Sequence, residues 1–384
     1  MPKSRRATIA DVAAASGVGV GTVSRVINSA SGVREATRAK VLRAIEQLGY
    51  SPSHLAAALS RGTPRTVAIV IPHLTRPSSV ERLAGALAVL ARYEYDTMVC
   101  NVDTPAQRDH FLATMVTRHR ADGVIVMSLP LRRSQLAAFA AAGLPLVTVD
   151  VRAPGVPQTV IDDVAGGRLA TDHLLGLGHK RIGFIGDRVQ RAVSTALGFT
   201  ASHRRLAGYR QALTAAGLVP DQALIRLGPH GPANAEAMAA ELLGLPEPPS
   251  AIFVASDTQA IGVLAAADRS GAEVPGDLSV IGFDDIQSAA LLGLSTVRQP
   301  LEHSGAEGAE RLCALLRGEQ VRPLRQVLEV QVVARASSGR PGARASRAAG
   351  SAAERGPRSR LQVTRTTDSS GPGRRAAHRI AGRS

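Results

Sequence analysis

Residues 8–28 decide the reading of this chain: Thr8-Ile-Ala-Asp-Val-Ala-Ala-Ala-Ser-Gly-Val-Gly-Val-Gly-Thr-Val-Ser-Arg-Val-Ile-Asn28. Thr8 and Asp11 stand at capping-box spacing, so the Thr8 hydroxyl can accept a backbone N–H at the start of a helix whose apolar side is Ile9, Val12 and Ala13. Gly17 breaks that helix. From Thr22 to Asn28 the helical period resumes, with Val23, Val26 and Ile27 facing inward and Thr22, Ser24, Arg25 and Asn28 outward. Two short helices joined by a tight glycine turn can lay the second one in a DNA major groove, and hydroxyls, a guanidinium and an amide suit phosphates and base edges.

Gly17-Val-Gly-Val-Gly21 superficially resembles a dinucleotide-binding loop. That loop must follow a β-strand and match G-x-G-x-x-G, whereas this one follows a helix and has Thr22 in the last position. An ordinary helical hairpin is the other alternative for residues 8–28 taken alone. Further along, Glu35 to Leu48 predicts a third helix with Val41, Ala44, Ile45 and Leu48 on one stripe and Gly49 as its stop. In residues 50–62, Ser53 can cap a helix of about two turns, too short to persist without a partner.

Residues 8–62 resemble the headpiece and hinge of the lac-repressor (LacI/GalR) family of bacterial transcription regulators. D-V-A-x-x-x-G-V, T-V-S-R-V-x-N, T-R-x-K-V, L-G-Y-x-P and A-x-x-L follow in that family's order and spacing. The resemblance implies a recognition helix that carries Val20, Gly21 and Arg25 toward bases, with Thr22, Ser24 and Asn28 on the backbone and further DNA contacts by Thr8 and Ile9. It also implies a hinge helix, carrying Ala56 and Leu59, whose Leu59 wedges into the minor groove beside its dimer mate and kinks the operator. Two departures stand out. Gly19 replaces the family's usual serine cap, and Gly21 has no side chain with which to read a base.

The net charge of +15 over 384 residues is terminal. Residues 1–66 hold 10 Lys+Arg against 3 Asp+Glu, and residues 339–384 hold 11 Arg against Glu354 and Asp368. The middle balances at −1, an ordinary globular body. The 2 cysteines, Cys100 and Cys313, lack neighbouring His or Cys at ligand spacing, so neither a zinc site nor a disulfide framework is expected. No leucine-rich run follows the basic N-terminus and no stretch reaches membrane-spanning length, so the expectation is a cytoplasmic protein at the nucleoid, without membrane or cofactor.

From residue 66 to about 335, apolar runs of strand length alternate with helical patterns. The runs are 66–71, 98–102, 123–127 and 144–149, then 181–185, 251–255 and 278–283, with intervening helices near 79–93, 106–119, 132–142, 165–177, 203–216, 233–243 and 257–270. Continuous apolar strands separated by helices imply parallel sheets covered on both faces, and two such series imply two doubly wound lobes. Ligands of such sheets sit beyond the C-terminal strand ends, where this chain places Asp150, Asp162 and Asp163, Asp257, and Asp284 and Asp285. A cleft of Asp, Arg and His suits a polyhydroxylated or otherwise polar small molecule, sugar-like or nucleoside-like.

The resemblance extends to about residue 337 through H-L-L-x-L-G-H-K-R-I-G-F-I-G, R-L-A-G-Y, A-I-F-V-A-S-D-T-Q-A-I-G, V-I-G-F-D-D and T-V-R-Q-P. It implies an effector held chiefly by Asp257 as acceptor and Arg205 as donor, with His230 where relatives stack an aromatic, Gln299 at the return crossover between lobes, and Asp150. Ser78 and Ser79 stand where relatives carry a pair of aromatics. Each residue has a plainer role open to it: Asp257 as a helix cap, Arg205 as part of a solvated basic face, His230 as a packed side chain. Asp284 and Asp285 read as shaping a turn and interdomain contacts rather than binding ligand.

The segments therefore read as a helix-turn-helix headpiece (1–50), a hinge (51–65), a two-lobed effector-binding and dimerising body (66–338), and a basic tail (339–384) too poor in apolar residues to fold. Tetramer-forming leucine heptads are absent, which leaves a homodimer. The function implied is an effector-controlled DNA-binding regulator acting as a repressor. A solute-binding receptor would share the two lobes but would need an export signal and has no use for the headpiece. A small-molecule enzyme would need a G-x-S-x-G elbow, a P-loop, H-E-x-x-H or a close carboxylate pair, and adjacent Asp162 and Asp163 point in opposite directions.

Overall fold

In a computed structural model of the chain, residues 7–27, 32–50, 65–118, 120–188, 197 and 199–342 are described. The N-terminal part is three helices, α1 (Ile9–Ser16), α2 (Val20–Ile27) and α3 (Glu35–Gln47). The expected capping box is present: the Thr8 hydroxyl accepts from the Asp11 N–H while the Asp11 carboxylate accepts from the Thr8 N–H at 2.8 Å. Gly17 closes α1 at φ 68°, a left-handed conformation that a Cβ would penalise. Val12, Ala13, Val23, Val26, Val41 and Ala44 form the core of the three helices. Leu48 corrects the expected stripe, because α3 ends one residue earlier and leaves Leu48 exposed; the buried Tyr50 joins that core beyond the Gly49 turn.

Two six-stranded sheets build the body. The first contains β1 (Thr66–Pro72), β2 (Asp96–Val102), β3 (Gly123–Met127), β4 (Leu146–Val149), β5 (Gln158–Ile161) and β11 (Arg325–Leu328), in the order β11-β5-β4-β3-β1-β2. The second contains β6 (Ile182–Asp187), β7 (Ile225–Gly228), β8 (Ala251–Val254), β9 (Ser279–Asp284), β10 (Ser295–Arg298) and β12 (Gln331–Val333), in the order β12-β10-β9-β8-β6-β7. Pairing is parallel except for β12, which runs antiparallel to β10 and corrects the expectation of parallel sheets throughout. An antiparallel edge on a parallel sheet is a common way to finish it.

Helices cover both sheets: α4 (Pro77–Arg92), α5 (Pro105–Arg118), α6 (Arg133–Ala141) and α12 (Leu301–Leu316) in the first lobe, and α7 (Asp163–Gly176), α8 (Ala201–Ala215), α9 (Pro232–Leu243), α10 (Asp257–Ser270) and the short α11 (Gln287–Leu291) in the second. The chain crosses between sheets after β5, after β10 and between β11 and β12. Gln299 lies on the second of these crossings, as expected. The folded body also runs past residue 338. The Gly339 N–H donates to Ser279 Oγ at 3.0 Å and its carbonyl accepts from the buried His179 at 2.9 Å, so residues 339–342 belong with the second lobe rather than with the tail. The remainder of the tail, 343–384, lies outside the described residues.

Two helix pairs approach closely through glycine. A Cβ on Gly305 of α12 would strike the Arg82 carbonyl of α4, and one on Gly167 of α7 would strike the Arg205 backbone of α8. Both arginines belong to the cleft described next.

Candidate functional site

In the headpiece, α2 buries Val23 and Val26 and exposes Val20, Gly21 and Arg25, with Thr22 and Ser24 half-buried. Its first turn has no side-chain cap. The Gly19 carbonyl accepts from the Val23 N–H at 3.2 Å, and with no side chain Gly19 offers nothing further to that turn. Thr8 is exposed and Ile9 half-buried on the same three-helix unit. Asn28, Ala56 and Leu59 lie outside the described residues.

In the body, strand ends of both lobes converge on a cleft with about 780 Å³ of free space, its open mouth included. His73 follows β1, Ser128 follows β3, Asp150 follows β4, Asp187 ends β6, Ser256 follows β8 and Asp284 ends β9. Ser78, Ser79, Arg205, His230 and Gln299 also line it, beside Asp150. His73, Ser128, Asp150 and Asp284 have φ of 48°, 48°, 61° and 121°. Non-glycine residues rarely hold such angles, and their clustering at a cleft marks backbone strained to aim side chains.

Asp257 is not part of that lining. It is fully buried behind the cleft, where Oδ1 accepts from the Thr296 hydroxyl at 2.6 Å and Oδ2 from the Ile286 N–H at 3.0 Å. Nor is it the helix cap, since Ser256 caps α10 and accepts from the Gln259 N–H. Burial, and then the charge of Asp284, push the Asp257 carboxyl up to about 7. Ser256 and Thr258 on either side face the cleft instead.

Asp284 takes the place expected of Asp257. Its Oδ1 accepts from the Gln299 amide at 2.6 Å and lies 3.5 Å from Arg205 Nη1. Burial raises the Asp284 carboxyl above the usual range, although Arg205, Gln299 and Arg82 oppose the shift. Through Gln299, Asp284 makes the interdomain contact expected of it, and Asp285 likewise binds the structure together, pairing with Arg298 at 2.6 Å and Arg335 at 2.7 Å. Asp162 caps α7, and Asp163 pairs with Arg205 Nε at 3.0 Å, so these two neighbours have separate duties.

Arg205 is buried, donates also to the Ala255 carbonyl at 2.6 Å, and stacks its guanidinium 3.6 Å over the Phe283 ring. On the facing wall the buried Arg82 donates to Ser304 and Ser128 at 3.1 Å each and to Gln299 Oε1 at 3.2 Å, with Asp150 at 3.4 Å. Ser128 in turn donates to Asp150 at 2.7 Å. His230 Nδ1 meets Asp187 at 3.2 Å. Burial works against the Asp187 charge, but the His230 hydrogen bond and the nearby Arg76 and Arg205 hold its carboxyl below the usual range.

Sequence reasoning missed His73, Arg76, Arg82, Ser128, Asp187 and Phe199 among the lining. Asp187 carries the signal that found the others, a carboxylate at a strand end. Arg82 shares a helix face with Ser79, Ala86 and Val89, all buried, and a charge in that register is itself a clue. The cleft presents fixed donors and acceptors from both lobes and suits a polar ligand with several hydroxyls.

Residues 8–53 match the bacterial regulatory proteins of the lacI family, and residues 171–338 match the periplasmic binding protein-like domain. The HTH-type transcriptional regulator CelR of Thermobifida fusca is 33% identical over 349 residues, spanning 88% of this chain and 100% of CelR. The chain belongs to the LacI family. The HTH-type transcriptional repressor PurR of Actinobacillus pleuropneumoniae serotype 3 is 32% identical over 84% of this chain and 95% of its own. Among solved structures, the lac repressor dimer bound to operator and the anti-inducer ONPF superposes with a TM-score of 0.75 at 27% identity, covering 87% of this chain and 100% of that one. The CelR–cellobiose complex gives 0.62 at 32% identity, over 87% of this chain and 100% of that chain. This LacI-family chain is a DNA-binding transcriptional regulator with an effector-binding body, and no helix among its described residues is long and apolar enough to cross a membrane.

Proposed function

We propose that the protein is a homodimeric repressor that binds a pseudo-palindromic operator and changes its grip on it when a polyhydroxylated small molecule fills the cleft. The observation that carries the reading is the continuous run of polar contacts Arg82–Gln299–Asp284–Arg205, which ties the walls of the cleft across the lobes in a chain that also bears a DNA-binding headpiece. A ligand hydroxyl that competes for Asp284 or Arg205 must rearrange that run. The resulting preference for one lobe arrangement is what linkage to DNA requires.

Arg25, Val20 and Gly21 meet base edges in this reading, and Thr22 and Ser24 meet phosphates, with Thr8 and Ile9 at the rim. Asn28, Ala56 and Leu59 keep the roles their motifs imply. Asp284, Arg205, Asp150, His230, Gln299, Ser78 and Ser79 hold the effector, while Asp257 supports the wall from behind. The cellobiose complex of CelR and the ONPG complex of the lac repressor support a carbohydrate-like ligand. The test begins with genome-wide mapping of bound sites, then fluorescence anisotropy of the mapped duplex against a shuffled one. Specific binding about 1,000-fold tighter or more is expected at physiological salt. Equal affinity for both duplexes would exclude a sequence-reading role.

A further inference from the structure

Three carboxylates line the cleft, and each already has its partner: Asp150 has Arg82 and Ser128, Asp284 has Arg205 and Gln299, and Asp187 has His230. Arg76 is the cation left over. It lines the same cleft, yet among the described residues no acceptor reaches its guanidinium within hydrogen-bond or ion-pair distance. Burial already pulls its pKa down from the ordinary arginine value, against the longer-range pull of Asp187 and Asp284. A guanidinium that loses more water when a ligand enters must gain an opposite charge, or the complex carries the desolvation cost.

The neighbouring groups fit an anion with a hydroxylated body. Ser78 and Ser79 stand next to Arg76 on the first turn of α4, and the buried Ser79 hydroxyl has only a marginal contact with the Pro72 carbonyl at 3.5 Å. On the opposite wall, His230 Nε2 is buried without a partner. With Asp187 ionised and accepting from Nδ1–H, Nε2 is an acceptor for a ligand hydroxyl.

We propose that the effector is an anionic polyol, a sugar acid or sugar phosphate, whose carboxylate or phosphate is bound by Arg76 with Ser78 and Ser79 while its hydroxyls engage His230 and Asp284. This rests on the reading of the cleft as the effector site. The guanidinium supplies two parallel N–H groups, which match either anion.

Isothermal titration of the full chain at constant ionic strength tests it, using gluconate, glucuronate and glucose 6-phosphate against glucose and sorbitol. At least one anionic compound should bind tenfold or more tightly than its neutral counterpart, and the two anion types separate carboxylate from phosphate recognition. Arg76→Met should abolish that preference and Arg76→Lys should restore part of it, with ligand-free melting curves confirming that both variants fold. Neutral compounds binding as well as anionic ones, or Arg76→Met weakening both series equally, would overturn the anion assignment and leave the effector cleft standing. If neither series binds and none alters operator affinity, the effector reading falls with it.

Discussion

The Gln299 side chain donates from Nε2 to Asp284 Oδ1 at 2.6 Å while its Oε1 accepts from Arg82 Nη2 at 3.2 Å, so one neutral amide joins a carboxylate of the second lobe to a guanidinium of the first. All three side chains are almost wholly buried. A neutral linker lets two opposite charges share a cleft without collapsing onto each other, and it sits on a crossing between the sheets, where a change in lobe angle is felt. Hydrogen bonds to charged groups in such surroundings are stronger than neutral ones, and losing one partner strands the other.

Gln299→Leu keeps the volume and removes both bonds. The expected cost is about 3 kcal/mol, from two lost hydrogen bonds to charged groups, while Asp284 Oδ1 keeps Arg205 and Arg82 Nη2 keeps Asp150. Urea unfolding would report it as a lower midpoint with an unchanged slope. A loss below about 0.5 kcal/mol, the size of an ordinary surface change, would mean that the amide does not couple the lobes.

Asp257 gives the protein a pH dependence of unusual sign. Its folded-state pKa is pushed up to about 7 from 3.8, so the folded protein keeps a proton that the unfolded chain has already released. The stability this group contributes is full below about pH 4 and is lost as pH rises toward 7. Asp257→Asn can imitate the protonated form by turning its amide nitrogen to Thr296. Between pH 5 and pH 8 the wild type should lose stability relative to this variant, and parallel curves from urea melts across that range would contradict the account.

The close helix contacts make a prediction about packing. Gly305→Ala drives a methyl into the Arg82 carbonyl and Gly167→Ala drives one into the Arg205 backbone. Overpacking between rigid helices costs about 1–3 kcal/mol, and because the displaced residues carry the cleft arginines, ligand affinity should fall with stability. Calorimetric melting and ligand titration on the same samples check this. Retained melting temperature together with retained affinity would show that the helices part without disturbing the cleft.

Arg25 is exposed on α2, with Val23 and Val26 of that helix turned into the core. Arg25→Ala should remove about 1–3 kcal/mol of operator binding per half-site and relax the preference at one base pair. Anisotropy against single-substitution operator variants at matched salt reads both effects. A uniform loss across all sequences would reassign Arg25 to a phosphate.

Much of this was legible in the amino-acid order, for reasons visible at particular residues. The Thr8–Asp11 cap, the Gly17 turn and the buried strands β1, β3, β8 and β9 declare themselves through local rules of capping, turn chemistry and unbroken apolar runs. Strands β7, β11 and β12 escaped because they are short edge strands, half water-facing, so their polar residues break the pattern, and β10 escaped because its four residues Ser-Thr-Val-Arg carry a single strongly apolar side chain although three of them are buried. The exchange of Asp257 for Asp284 has a similar cause. Both stand at or just beyond strand ends, and only the three-dimensional turn at Ser256–Asp257–Thr258 decides which carboxylate faces the cleft. Arg82 and Gln299 find each other across 217 residues of chain, a pairing that no local pattern encodes.

Coupling between cleft and operator is the central claim, and linkage makes it measurable in one experiment. Isothermal titration gives the affinity of the cleft ligand for the free protein and for the protein saturated with its mapped operator. The two should differ by about 5–150-fold, and the ligand should shift operator affinity by the same factor. Identical ligand affinity with and without operator would show that the cleft and the headpiece do not communicate.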